Sequence, residues 1–158
     1  MSAGEEHRTE TTALRPGVQA PPREFGPLTR QMFVRYAGAS GDLNPMHYDD
    51  EFARSAGHPS VFAQGMFSAA LLAGFATDWL GAGNVRRYGV CFREQVWPGD
   101  VLTCSGTVTA VIAEPEGDRI SLELAATRQT GGVAISGTAE FLITQNAPGR
   151  TADSPDRS

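Results

Sequence analysis

Asp42 and His47, separated by Leu43-Asn44-Pro45-Met46, have types and a spacing that suit proton transfer. At neutral pH an aspartate is ionised and a histidine largely neutral, so the two offer a pair of acceptors able to hold and deprotonate a water. Two proton-transfer groups suit the addition of water to a double bond, or its elimination. The same residues admit a structural reading, in which Asp42 bonds loop backbone and His47 covers a helix end.

Asn44-Pro45 gives the spacing a geometry. The residue before a proline is driven out of the helical region, as an N-cap is, and proline suits the first helical position, so a helix is expected across 44–57. His47 then falls in its first turn, where the dipole disfavours the imidazolium, and both side chains can face one point. Asp49, Asp50 and Glu51 suit the positive end of that helix, Arg54 the negative end, and Gly57 its termination. Gly65 is the third candidate. A glycine opening a buried helix leaves free N–H groups aligned with a favourable dipole, able to polarise a carbonyl. It can equally be an N-cap with no ligand.

The elements that position these residues follow from hydrophobic period. Across 29–37, Met32, Phe33, Tyr36 and Ala37 share a helical face, with Thr29 placed to cap it and Gly38 to end it. Residues 65–81 are apolar on nearly every face, as in a buried helix. Strands follow at 86–96, 101–112, 119–129 and 133–143, separated by Pro98-Gly99-Asp100, the turn at 114–118 and Gly131-Gly132. Ile120, Leu122, Leu124 and Ala126 alternate with more polar neighbours, which predicts a sheet with one buried face. Consecutive short turns predict an antiparallel meander, with a further strand near Phe25. The fold class is α+β, a single domain at 23–145 in which a sheet wraps a long helix, with loose tails at 1–22 and 146–158.

Bulk properties narrow the function. A net charge of -5 argues against a general nucleic-acid binder, and only Arg86, Arg87 and Arg93 approach a cluster. Cys91 and Cys104 lack the spacing of a zinc or redox pair. The N-terminus lacks the basic start and apolar run of a signal peptide, and no apolar stretch is long enough to span a bilayer, so a soluble, cytoplasmic protein is expected. Ser40 fails the nucleophile-elbow pattern because Asp42 stands where the second glycine belongs. Asp42-Leu-Asn44 fails as a calcium loop because Met46 and His47 replace an oxygen ligand and a glycine. His7 and His58 read as exposed histidines. Tyr36, Phe67, Phe75 and Trp79 read as packing residues.

The segment Tyr36-Ala-Gly-Ala-Ser-Gly-Asp-Leu-Asn-Pro-Met-His-Tyr-Asp49 closely resembles the signature of MaoC-like dehydratases and (R)-specific enoyl-CoA hydratases. Phe62-Ala-Gln-Gly-Met66 looks like that family's central-helix start. Residues 88–100 look like its strand and turn before the last hairpins. The resemblance covers roughly 27–143, and it implies a hot-dog fold and reversible hydration of trans-2-enoyl thioesters to (R)-3-hydroxyacyl thioesters, in fatty-acid or polyketide metabolism. It further implies a substrate carried on coenzyme A or acyl carrier protein, no metal or redox cofactor, and a homodimer or a heterodimer with a related hot-dog subunit. Position by position, Asp42 and His47 match the catalytic pair, Asn44 with Pro45 the loop-shaping residues, and Gly65 the carbonyl-binding amide. Gln64 departs from the pattern, since many members carry histidine there. A noncatalytic subunit of a two-chain dehydratase is the rival reading. A hot-dog thioesterase is another, but it needs a carboxylate on or beside the central helix, where this chain offers only Asp78 near the far end.

Overall fold

Five antiparallel strands pair in the order β1-β3-β4-β5-β2: β1 (Arg23–Phe25), β2 (Val85–Phe92), β3 (Leu102–Glu114), β4 (Gly117–Arg128) and β5 (Val133–Ile143). They belong to a computed structural model that describes residues 14–144. Three α-helices complete the α+β domain: α1 (Arg30–Ser40), α2 (Asp50–Ser55) and α3 (Gly65–Leu80). Residues 1–13 and 145–158, which include most of both expected tails, lie outside the described residues.

Ile120, Leu122, Leu124 and Ala126 of β4 are buried on one face, as their alternation predicts, and pack with Leu102, Cys104 and Val108 of β3. Against that face lies α3. The sheet covers one side of it, burying Ser68, Ala69, Leu72, Phe75, Ala76 and Leu80, while Met66 and Ala70 on the other side are exposed. Burial on every face, expected from composition, is therefore corrected to burial along one stripe.

The meander is also corrected, because β2 pairs with β5 instead of β3. Ala63 N–H donates to Val96 O, Gly99 N–H donates to Leu28 O, and Leu28 N–H donates to Asp100 O. The link from β2 to β3 is thus a crossover pinned to other parts of the chain, and no hairpin forms there. Asp100, buried at 4% exposed, anchors it. Its carboxylate accepts from Arg128 Nε (2.8 Å), Gln129 Nε2 (2.8 Å) and Trp97 N–H (2.8 Å).

Two further boundaries move. Thr29 caps α1 as expected, but the helix runs through Gly38 and ends at Gly41, which takes the left-handed conformation (φ 77°). The loose tail expected through residue 22 is ordered from Leu14. Gly17 and Ala20 donate to Val108 O and Gly106 O of β3, and Leu14, Val18 and Ala20 supply the apolar contacts that hold the segment down.

Candidate active site

The helix expected across 44–57 is two elements. Pro45–His47 forms a 3-10 turn capped by Asn44, whose Oδ1 accepts from Met46 N–H (3.1 Å). The α2 helix then starts afresh, capped by Asp49, whose Oδ1 accepts from Glu51 and Phe52 N–H at 2.9 and 3.1 Å. A second capping residue so soon after the first resets the chain direction. His47 consequently sits ahead of the α-helix and not in its first turn, so the α-helix dipole expected to act on its ring does not begin there. A hydrogen bond replaces it.

His47 Nδ1 lies 2.8 Å from Phe62 O, and a carbonyl oxygen only accepts, so Nδ1 carries the proton. In the neutral ring Nε2 is then an acceptor, and it faces Asp42 Oδ2 at 3.7 Å. That separation is too long for a direct hydrogen bond. Asp42 Oδ1 is engaged with Asn44 N–H (3.4 Å), while Asp42 N–H donates to Ser40 Oγ (3.2 Å). Ser40 in turn donates to Tyr36 O, and Tyr48 OH to Leu43 O, so the loop is braced on both sides. The His47 side chain is 9% exposed and that of Asp42 48%, which places the acceptor pair at a boundary between protein and solvent.

Residues 61–64 splint this pair to the start of α3. Val61 N–H donates to Asp50 Oδ1, Phe62 N–H to Met46 O and Ala63 N–H to Val96 O. Asp50 is itself held below the ordinary carboxylate range by Arg30, at 2.7 Å. Gln64 is fully buried, and its Nε2 donates to Phe33 O of α1 at 3.0 Å. The chain then enters α3 at Gly65, whose N–H donates to no backbone acceptor among the described residues, as expected of a first helical turn.

Gly65 lines a cavity of about 260 Å³ together with Phe62, Ser68, Phe92, Arg93 and Ile135. Phe92 crowds it, and a Cβ at Gly65 would come within 2.9 Å of the ring. Asp42 and His47 are not among the lining residues. The ring of Phe62 stands between, its centroid 5.2 Å from that of His47. The structure thus gathers Asp42, Asn44, Pro45 and His47 directly and joins Gly65 to them through Phe62.

Farther along α3 lies a second cavity of about 220 Å³, almost wholly apolar, between Ala73, Ala76 and Thr77, Val85 and Tyr88 of β2, and Ala139 and Phe141 of β5. Tyr88 donates to Ala69 O (2.7 Å), and burial pushes its phenol up to about 12.

Asp78 is exposed and ion-paired with Arg23 at 2.5 Å, about 20 Å along the helix from Gly65. His58 packs at a tilt against Phe62 and Trp97; His7 lies outside the described residues. Cys91 and Cys104 are both free. Phe62, Ser68 and Phe92 are not singled out as site residues by the sequence. Phe62 acts through its carbonyl, which no residue type announces, and the other two line a cavity that only folding creates.

A family model for the MaoC-like domain matches residues 13–128. An (R)-specific enoyl-CoA hydratase from Rhodospirillum rubrum is 29% identical over 110 residues, 68% of this chain and 74% of that protein. The fatty acid synthase subunit beta of Saccharomyces cerevisiae is 37% identical over 73 residues, 44% of this chain, but the match spans only 4% of that much longer protein. Among solved structures, an (R)-hydratase from A. caviae superposes with a TM-score of 0.74 at 26% identity, covering 84% of this chain and 98% of that one. No helix among the described residues is long and apolar enough to cross a membrane.

Proposed function

We propose that this chain, which belongs to the MaoC-like domain family, adds water across the double bond of trans-2-enoyl thioesters to give (R)-3-hydroxyacyl thioesters, and runs the same reaction in reverse. The observation that carries the reading is the gap between Asp42 Oδ2 and His47 Nε2, two acceptors 3.7 Å apart at the edge of solvent. A water in that gap can donate one proton to each.

In hydration the Gly65 N–H holds the thioester oxygen, which draws electron density from the third carbon as an enolate develops. The water oxygen bonds that carbon as its proton passes to one member of the pair, and a proton is delivered to the second carbon from the pair. Asn44 and Pro45 fix the loop, and Phe62 O fixes the ring of His47. No metal or redox cofactor enters this chemistry, since the coenzyme A or phosphopantetheine arm belongs to the substrate. The apolar cavity along α3 supports an acyl chain longer than crotonyl, because a site of about 150 Å³ already takes benzene. A place in fatty-acid or polyketide metabolism accords with such substrates.

β2 is a sheet edge, pairing only with β5 among the described residues, and Met66 is exposed on α3. Both features support a dimer, of identical chains or with a related hot-dog subunit. The rival reading, a noncatalytic partner subunit, is disfavoured by the complete acceptor pair. Thioesterase chemistry is disfavoured by the remote, ion-paired position of Asp78. The test is hydration of a panel of enoyl-CoA and carrier-linked enoyl substrates, with chiral analysis of the product from crotonyl-CoA. An (S) product, or no turnover by the chain alone or with a hot-dog partner, would overturn the reading.

A further inference from the structure

Ser68 is a polar residue buried at 2% exposed on α3, and it lines the cavity that Gly65 opens. Its hydroxyl makes no hydrogen bond to protein among the described residues, yet it is not fully enclosed as the unpartnered Gln64 Oε1 is. A hydroxyl in that condition faces the cavity. Helical geometry says where. Residues three apart share a face about 5 to 6 Å apart, and Cα–Cβ bonds tilt toward the helix N-terminus, so a serine one turn in leans back over the turn that Gly65 begins. Phe62, Phe92 and Ile135 line the same cavity, whose other walls include Arg93, Glu94 and Gln95.

We propose that the Ser68 hydroxyl is a second hydrogen-bond donor to the thioester oxygen, acting beside the Gly65 N–H. This rests on the hydration reading given above and assigns that site a further catalytic residue. A single N–H at the helix start leaves one lone pair of the developing enolate oxygen unmatched. A hydroxyl approaching from the next turn supplies the other donor inside a pocket that Phe92 screens from water. No covalent step is involved, and the hydroxyl keeps its proton throughout.

Bound 2,4-hexadienoyl-CoA reports carbonyl polarisation as a red shift of its absorbance. It is measured on Asp42→Asn, where turnover is slowed, with and without Ser68→Ala, Ser68→Cys or Ser68→Thr. The expected result is a reduced red shift with Ala and Cys and a retained one with Thr, at unchanged melting temperature. In the otherwise unmodified protein, Ser68→Ala and Ser68→Cys should lower kcat for crotonyl-CoA about tenfold or more, toward the 10² to 10³ typical of an oxyanion donor. Wild-type turnover with a full red shift and a kcat within about twofold in Ser68→Ala would overturn the proposal and leave the hydration reading standing, since a donor should cost far more. Absence of both turnover and hexadienoyl-CoA binding in the wild-type protein sinks the two together.

Discussion

Asp42 Oδ2 and His47 Nε2 face each other across 3.7 Å, each without a donor among the described residues, while Asp42 uses its other oxygen for Asn44 N–H and His47 its other nitrogen for Phe62 O. The arrangement is a receptor for one water. Asp42→Asn replaces an acceptor by a group that can donate, and His47→Ala removes the other acceptor. Each substitution should lower kcat for an enoyl-CoA by about 10² or more while leaving the far-UV spectrum and melting temperature near wild type. A rate within a few-fold of wild type in either variant would remove that residue from the chemistry.

The separation itself depends on Asn44. Its side chain caps the 3-10 turn and its backbone N–H holds Asp42 Oδ1, so Asn44→Ala removes the cap and, by freeing the backbone there, loosens the N–H that holds Asp42. Loss of such a cap costs about 1 kcal/mol of stability. The effect on kcat should be larger than that figure suggests, about tenfold to 10², because small displacements of reacting groups are expensive. Asn44→Asp retains the acceptor and should keep more of the rate than Asn44→Ala. Equal losses in the two variants would show that the cap is not what positions Asp42.

Much of this site was legible in the residues. The cap at Asn44-Pro45, the nearness of Asp42 to His47 and the place of Gly65 at the head of α3 follow from residue type and short-range spacing, while the roles proposed for them are what the family resemblance implies. What holds His47 was not legible. The sequence permits an α-helix from Pro45, and only the competing Asp49 cap, with its two backbone bonds, divides the segment and frees His47 to turn toward Phe62. Sheet order was illegible for a related reason. Pro98-Gly99-Asp100 has the composition of a hairpin turn, but its partners, Leu28 and Arg128, lie 71 and 28 residues away from Gly99 and Asp100. Strand existence is a local property; strand pairing is not.

Asp100 makes acid stability testable. Burial raises its carboxyl, but the bonds from Arg128, Trp97 N–H and Gln129 outweigh it and hold the group below the ordinary carboxylate range. A folded-state value below the unfolded one contributes stability that is present above the unfolded pKa, about 3.9, and is lost as pH falls through the folded value. Thermal melts should therefore steepen in their pH dependence below about pH 4. Asp50 and Glu114, held low by Arg30 and Arg119, are more exposed and add less. Asp100→Asn should flatten the acid limb and cost about 3 kcal/mol at pH 7, since Arg128 would be left without its buried partner. An unchanged acid limb would mean that other groups govern acid unfolding.

Gly65→Ala separates packing from chemistry. The added methyl meets the Phe92 ring at 2.9 Å, but that ring is half exposed at the end of β2 and can swing outward. Alanine also favours the helix by up to about 1 kcal/mol over glycine, so the melting temperature should change little. The methyl and the displaced ring would nevertheless intrude on the cavity where the thioester oxygen meets the Gly65 N–H. KM for crotonyl-CoA should rise and kcat fall, by about 10² together in kcat/KM, the scale of one lost oxyanion donor. Adding Phe92→Ala relieves the contact. If crowding by the ring is the cause, the double variant recovers rate relative to Gly65→Ala. If it recovers nothing, the methyl itself blocks the amide, and Phe92 serves only to exclude water. Wild-type kcat/KM in Gly65→Ala would place the thioester elsewhere.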